Sequence, residues 1–319
     1  MKIIDFPLEY SVKNYELAIQ AHVEELSKVQ EVKSVYQIGG LSTPGISDID
    51  LVVVFEDGFE YQTNPRLVNS GIANYLFTHG LYGTSHLYFS ESLKFTFFHN
   101  FKLLYGEDLN LNNVISNSNQ KLLKEQIALE FLFKMYVNLI VQKSYNTIKL
   151  RSIFLHIKAL HYDFEFLNIQ PKKVLKFVEE GIALRNNWFS GEVSKKDVKK
   201  WFKLFFTEYE SFLKTLLIDF PLYTPSLEFK IAPNIEIVNA KTLSYSKEGI
   251  VFPDTFNILD KKYFKALNRI NNFKIEVPIK TEAPEIIKDY FRYADIVSGY
   301  NKKHIPHFMS LTSSLKVYK

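Results

Sequence analysis

The sequence predicts an α+β protein: a mixed sheet flanked by helices comes first, then a helical bundle, then a small α+β region. Three observations lead there. Short apolar or alternating runs near residues 32–38, 49–55 and 82–89 have the length and composition of strands. Four longer stretches between residues 121 and 217 repeat apolar residues at helical spacing. Beyond them Pro221, Pro225 and Pro233 break the helical pattern, and strand-like runs return. A chain of 319 residues suits two or three domains of about 100–150 residues each. The composition shifts place the boundaries at 1–112, 113–220 and 221–319.

Residues 8–30 form an amphipathic helix pattern, with Tyr15, Leu17, Ala18, Ala21, Val23 and Leu26 at helical spacing. A strand over 32–38, a polar loop and a second strand over 49–55 follow, closed by the Asp57-Gly58 turn. A helix over 66–77 and a third strand over 82–89 complete an α-β-β-α-β unit that ends near "KLLYGEDL" at 102–109. The Asn/Ser-rich stretch "NLNNVISNSNQ", 110–120, is the expected linker. Helices are expected over 121–144, 147–168, 171–186 and 195–217, the last opened by Ser194 with Asp197 three residues on. In the C-terminal region "IEIVNA", "GIVFP" and "FKIEVPIK" have strand character, and 259–270 and 284–298 have helical character.

Composition narrows the chemistry. Apolar residues at 46% and charged residues at 23% are globular values, which argues against long disorder or a fibrous repeat. The absence of cysteine excludes disulfides, thiolate zinc sites and a cysteine nucleophile, so any metal must be held by oxygen or imidazole. "MKIIDFPLEYS" carries Asp5 and Glu9 and no apolar signal core, and nowhere do about 18 uncharged apolar residues run together. The expectation is a cytoplasmic protein with no membrane partner. Net charge is +4 but uneven, with 7 Lys+Arg against 14 Asp+Glu in residues 1–112 and 32 against 21 in the remainder. An acidic first part beside a basic remainder suits an anion processed through metals, and solvated surface charge gives the same numbers.

The stretch "YQIGGLSTPGISDIDLVVVF", 36–55, carries the clearest chemistry. In a strand, side chains two apart share a face, so Asp48 and Asp50 project together while Ile49 and Leu51 enter the core. Carboxylates so close repel and raise each other's pKa. A divalent cation between them reverses that interaction, and oxygen ligands favour Mg²⁺ or Mn²⁺. Gly39 and Gly40 expose backbone N–H groups with no Cβ in the way, and Ser42, Thr43 and Ser47 add hydroxyls, so the loop can cradle phosphate oxygens. Metal and phosphate would then share one pocket, as two-metal phosphoryl chemistry requires.

"IGG", the seven residues LSTPGIS, and "DIDLVVVF" together resemble the signature of the polymerase-beta-like nucleotidyltransferase superfamily, and "SDIDL" is similar to its minimal and antibiotic-modifying members. "LLYGEDL" resembles a segment that follows the third strand there. The likeness covers roughly residues 8–109 in motif and 121–217 in architecture alone. It implies a nucleotidyltransferase-type mixed sheet, Mg²⁺ (or Mn²⁺) on Asp48 and Asp50, and the β- and γ-phosphates of an NTP such as ATP on Gly39 and Gly40. It further implies NMP transfer to an acceptor hydroxyl, a small molecule being favoured, with release of pyrophosphate. The family's third carboxylate has no counterpart in "YGTSHLYFSES", where His86 takes the plausible catalytic position and Glu91 lies at the far end. A nucleotide- or partner-binding module that has lost catalysis is the alternative.

Other motifs are less specific. In 147–167 Arg151, Leu155, Lys158 and Tyr162 recur on one face, where two cations and a ring suit a nucleotide; ordinary exposure explains them as well. "SKKDVKKWFKLFF", 194–206, interleaves basic and aromatic residues as nucleic-acid binders do, but an amphipathic helix with a solvated lysine face has the same pattern, and a nucleic-acid partner is not the expectation. "NKKHIPHF", 301–308, is expected to be a surface loop. No Gly-Lys-Ser/Thr loop, G-x-G-x-x-G, H-E-x-x-H or G-x-S-x-G is present.

Overall fold

A computed structural model of the chain describes residues 1–68, 71–97, 100–109, 117–250 and 260–312. The structure is mixed α+β, and its backbone contacts group it into two compact units. Unit 1 takes Met1–Pro7 and Lys121–Ile287; unit 2 takes Leu8–Gln120 and Lys288–Ser313. This differs from the division expected at 112/113 and 220/221. The bundle and most of the C-terminal region form one unit, and the last helix and strand group with the N-terminal sheet.

In chain order, β1 (Lys2–Ile4) lies in unit 1. Unit 2 then builds α1 (Val12–Leu26), β2 (Val32–Ile38), β3 (Asp50–Phe55), α2 (Ile72–Leu76), β4 (Tyr82–Ser85), α3 (His86–Phe95) and β5 (Lys102–Gly106). Unit 1 resumes with α4 (Asn117–Ser144), β6 (Thr147–Lys149), α5 (Leu150–Ile157), α6 (Leu160–Phe166), α7 (Lys172–Asn186) and α8 (Lys195–Asp219). Strands β7 (Leu222–Tyr223), β8 (Glu228–Ala232), β9 (Ile235–Asn239) and β10 (Ser244–Glu248) precede α9 (Asp260–Ile270), β11 (Asn272–Val277) and β12 (Ile279–Lys280). Helix α10 (Glu285–His304) and β13 (Met309–Ser310) end the described chain.

Unit 2 is organised around a five-stranded sheet in the order β13-β4-β3-β2-β5. Strand β3 sits at its centre, antiparallel to β2 and parallel to β4, and β4 is in turn parallel to β13. Both faces of β3 are covered, which is why Leu51 to Phe55 is an unbroken apolar run rather than an alternating one. Leu51, Val53 and Phe55 pack with Tyr15 and Ala18 of α1, with Leu76 and Phe77, and with Phe308. Val52 and Val54 face the other way, onto Tyr36, Ile38, Phe89 and Leu311.

Several expected elements change for local reasons. The third strand stops at Ser85, whose side chain accepts the Tyr88 N–H at 3.4 Å; that N-cap turns 86–95 into α3, so His86 opens a helix instead of lying on a strand. The helix expected over 66–77 is a 3₁₀ turn at Pro65–Val68 and the short α2. The helix expected over 147–168 begins as a strand, because Thr147–Lys149 pairs parallel with Lys2–Ile4, and it then breaks between α5 and α6. Residues 301–304 are the last turn of α10, not a loop, and Ile305 and Phe308 are buried beyond it. Of the linker, 110–116 lie outside the described residues and 117–120 are helical. Of "GIVFP", 251–253 lie outside the described residues, and the adjacent strand is β10.

In unit 1 the apolar stripe Leu150, Ile153, Phe154, Ile157, Leu160, Phe164 and Leu167 is buried as expected. The Ser194 and Asp197 capping box opens α8. Trp201, Phe202, Phe205 and Phe206 of α8 are core residues, with the Trp201 ring N–H donating to the Phe177 carbonyl at 2.8 Å, so the aromatics between the lysines are not offered to bases. Strands β10-β11-β9-β8 form a separate sheet. Among the described residues no helix is long and apolar enough to cross a membrane.

Two stability predictions follow from unit 2. Gly83 on β4 lies against Phe308, and a Cβ there would stand 2.6 Å from the Phe308 Cβ. Gly83→Ala is expected to cost about 1–3 kcal/mol by overpacking, measured as a lower denaturation midpoint. His22 is buried, donates Nδ1–H to the Ala18 carbonyl at 3.0 Å, packs with its ring tilted 4.3 Å from that of Phe77, and has no hydrogen-bond partner at Nε2 among the described residues. Burial, partly offset by the Ala18 bond, pushes its pKa below the ordinary 6.5. The unfolded chain therefore takes up a proton there before the folded one does, and stability falls as pH drops below about 6.5, by at most roughly 1.4 kcal/mol per pH unit. Chemical denaturation between pH 8 and 5 is expected to show a shallower decline in His22→Leu than in the wild type.

Candidate metal centre

The site forms where β2 ends and β3 begins. Ile38 pairs with Asp50, so the loop 39–49 leaves and re-enters the sheet at one end. Gly39 adopts φ +71°, a left-handed conformation that glycine accepts without strain, and Gly40 follows it, both exposed. The loop is pinned from below. Tyr15 of α1 donates its hydroxyl to the Ser47 carbonyl at 2.7 Å and accepts the Gly45 N–H at 2.9 Å, while the Tyr75 hydroxyl donates to the Gly45 carbonyl at 2.5 Å. Ser47 is buried and its Oγ accepts the Thr43 N–H at 3.2 Å. Of the expected phosphate-binding hydroxyls, Ser47 therefore holds the loop's shape, and Ser42 lies at its surface.

The two aspartates converge as the strand period requires. Ile49 and Leu51 are buried, and Asp48 and Asp50 emerge on the face that Val52 and Val54 share. The third group is His79, which the sequence does not single out. Its placement follows from strand pairing. The Ile49 N–H donates to the Leu76 carbonyl at 3.1 Å, which ties the end of α2 beside Asp48. Strand β4 then runs parallel to β3 with Tyr82 opposite Val52, so two residues back along that register Gly80 is level with Asp50. The segment Thr78-His79-Gly80 is thereby laid against the aspartate pair. Asp48, Asp50 and His79 each offer a ligand atom, all within 4.8 Å of one another.

The hydrogen-bond directions say what the cluster lacks. His79 Nδ1 lies 2.7 Å from the Gly80 carbonyl, which can only accept, so the hydrogen is on Nδ1. Nε2 lies 2.8 Å from Asp50 Oδ1. That contact has ion-pair distance without hydrogen-bond alignment, and Oδ1 is a buried atom that accepts no directed hydrogen bond among the described residues. A neutral imidazole would set one lone pair against another. A proton held between Nε2 and Oδ1, or a metal ion bound by both, removes that repulsion. Thr78 Oγ1 donates to Asp48 Oδ2 at 2.6 Å and fixes the second carboxylate. The Tyr82 ring stands 5.4 Å from that of His79, edge to face, and limits its rotation.

Charge at the site is frustrated in the way a cation relieves. Burial pushes the Asp50 carboxyl above its usual range; His79 offsets part of this, and the charge of Asp48 adds to it. Burial opposes a charged His79, but Asp50, the Gly80 carbonyl and Asp48 outweigh it, and its pKa is raised above 6.5. Burial, then Asp50 and Asp48, push the Tyr82 hydroxyl far up, so it stays protonated. Asp50 keeps 28% and His79 31% of its side chain exposed.

Other expected site residues are placed differently. His86 opens α3 next to Ser85, which pairs with Phe55, so the length of β3, roughly 17 Å at about 3.3 Å per residue, separates it from Asp50. It is not part of this cluster. Glu91 is exposed on α3 and bonds Lys94 at 2.6 Å. Arg151, Lys158 and Tyr162 belong to unit 1. They share no open face there, since Arg151 is buried at the start of α5, Lys158 lies in the break after it and Tyr162 is exposed on α6. A signal for His79 was present. If the third strand is parallel to the second, a ligand opposite Asp50 has to come from the residues just before it, and His79 is the one imidazole or carboxylate side chain in "FTHGLYG". Comparison with protein-family models, curated proteins and solved structures gave no match to this chain.

The loop's support is open to test. Tyr15→Phe leaves the Gly45 N–H and the Ser47 carbonyl without their partner and is expected to cost about 1–3 kcal/mol in chemical denaturation.

Proposed function

We propose that unit 2 is a nucleotidyltransferase-type domain that moves an NMP unit from an NTP to an acceptor hydroxyl with the help of a divalent cation. One observation carries it: Asp48, Asp50 and His79 converge on a cation-deficient point at the sheet end where the Gly39-Gly40 loop lies. A polyphosphate needs a cation and N–H donors side by side, and here the carboxylates and the exposed glycine loop start from neighbouring strand ends. A bound cation would supply neutralisation of phosphate charge and a more acidic acceptor hydroxyl. The chain's own part is positioning. Thr78 holds the Asp48 carboxylate, Asp50 and His79 lie side by side where both would hold the ion, and Tyr15 and Tyr75 keep the loop in shape. In the reaction the acceptor oxygen bonds the α-phosphorus as the bond to the β-phosphate oxygen breaks; pyrophosphate leaves and the hydroxyl proton passes to solvent.

His79 also supports a second reading, a nucleotide-binding module without turnover, because the third ligating group beside the aspartates is an imidazole where the resembled family has a carboxylate. One assay separates the two. Labelled NTPs are incubated with the protein, Mg²⁺ or Mn²⁺ and a panel of hydroxyl acceptors, and pyrophosphate is measured. The transferase predicts metal-dependent release that falls at least about 100-fold in Asp48→Asn/Asp50→Asn, the scale set by loss of charge stabilisation in the transition state. NTP binding that persists with no release from any acceptor favours the module.

A further inference from the structure

We infer that His79 Nε2 is itself a metal ligand and that the Asp48, Asp50 and His79 site selects a first-row transition ion, such as Mn²⁺ or Co²⁺, over Mg²⁺. The inference rests on the metal-dependent reading above and adds the class of ion. Its ground is the donor set. Mg²⁺ is a hard ion that takes oxygen ligands and gives up water reluctantly, whereas imidazole suits the first-row transition ions. Two carboxylates and one imidazole therefore shift the preference of the site away from Mg²⁺ without excluding it.

The geometry around His79 has the form of a ligand held for a metal. Its Nδ1–H is bound to the Gly80 carbonyl at 2.7 Å, which fixes the tautomer that leaves Nε2 as a donor atom, the outer-shell bond that metal-binding histidines commonly make. Nε2 lies 2.8 Å from Asp50 Oδ1, the buried oxygen with no directed hydrogen bond among the described residues, and both lie within 4.8 Å of an Asp48 oxygen. The Tyr82 ring restrains the imidazole from one side, and the Thr78 hydroxyl orients Asp48. The three supporting residues, Thr78, Gly80 and Tyr82, lie in or beside the short segment that β4 draws up against β3. A merely structural ion pair between His79 and Asp50 would need neither the convergence of Asp48 nor an unaligned contact.

The test uses the full chain, stripped with a chelator, and metal alone as the probe. Binding of Mn²⁺, Co²⁺ and Mg²⁺ is measured by calorimetry for the wild type, His79→Gln and His79→Asp, with circular dichroism to confirm that each is folded. The wild type is expected to bind Co²⁺ at least about 10-fold more tightly than Mg²⁺, and His79→Gln to lose at least about 10-fold for Co²⁺ with a much smaller change for Mg²⁺. His79→Asp, with three carboxylates, is expected to gain Mg²⁺ affinity. Pulsed electron paramagnetic resonance of the Mn²⁺ complex should show nitrogen modulation from a coordinated imidazole in the wild type and none in either variant.

Absence of nitrogen coupling in the wild type, equal Co²⁺ and Mg²⁺ affinity, or a His79→Gln variant that keeps its Co²⁺ affinity would each overturn the assignment. Because no nucleotide is present, the result is independent of turnover. Selective ion binding without NMP transfer leaves this inference standing and sinks the transferase, and Mg²⁺-driven transfer unaffected by His79→Gln does the reverse.

Discussion

The parallel pairing of β4 with β3 is the constraint on which the candidate site depends. Asp48 and Asp50 follow from the local period of one strand, but a pair of carboxylates at a strand mouth is a common surface feature. What makes the pair chemically pointed is a third group brought in from nearly thirty residues away, and only the register between the two strands brings it. Shifting that register by one residue would replace the imidazole at the site with Thr78 or Gly80, neither of which can neutralise a buried carboxylate oxygen. The register is itself secured on both sides of β4. The Leu81 carbonyl accepts the Met309 N–H at 2.8 Å, Asn301 Nδ2 donates to the Gly83 carbonyl at 2.9 Å, and Phe308 fills the space beside Gly83 where no Cβ fits. The C-terminal part of the chain thus acts on the site from a distance by holding β4 in place.

That dependence explains which parts of the structure were legible. Strands β2 and β3, the facing of Asp48 and Asp50, the burial of the stripe from Leu150 to Leu167 and the capping box at Ser194 are local properties, written in periods of two and of about 3.6 residues and in one polar cap. His79 was not legible in the same way, because periodicity within a segment carries no information on what a distant segment stands beside. His86 lies outside the cluster for a related reason. "SHLYFSES" alternates well enough for a strand, and the pattern cannot show that the Ser85 side chain captures the Tyr88 N–H and starts a helix.

The remaining differences have one cause, which is pairing between elements far apart in sequence. Residues 147–149 have helical neighbours and helical spacing, but the chain start offers a parallel strand, and three residues leave the helix to join it. Residues 288–313 adjoin a region of strands and helices in sequence, and they group with unit 2 because β13 extends its sheet. The aromatic residues of α8 carried two meanings in sequence, and burial decided between them.

An imidazole in place of a third carboxylate also bears on how the chain folds without an ion. Three buried carboxylates would leave three mutually repelling charges in the apo protein, each with its desolvation cost unmet. With His79 the apo site has an internal remedy. A proton on Nε2 turns the lone-pair clash with Asp50 into an ion pair and leaves Asp48 held by the Thr78 hydroxyl. Unit 2 can therefore fold and keep its ligands arranged before any metal arrives. On the proposed reading, an ion that entered would exchange one cation for another at a position the strands have already fixed. The proton displaced in that exchange would tie the identity of the third group to both the stability of the empty fold and the choice of ion.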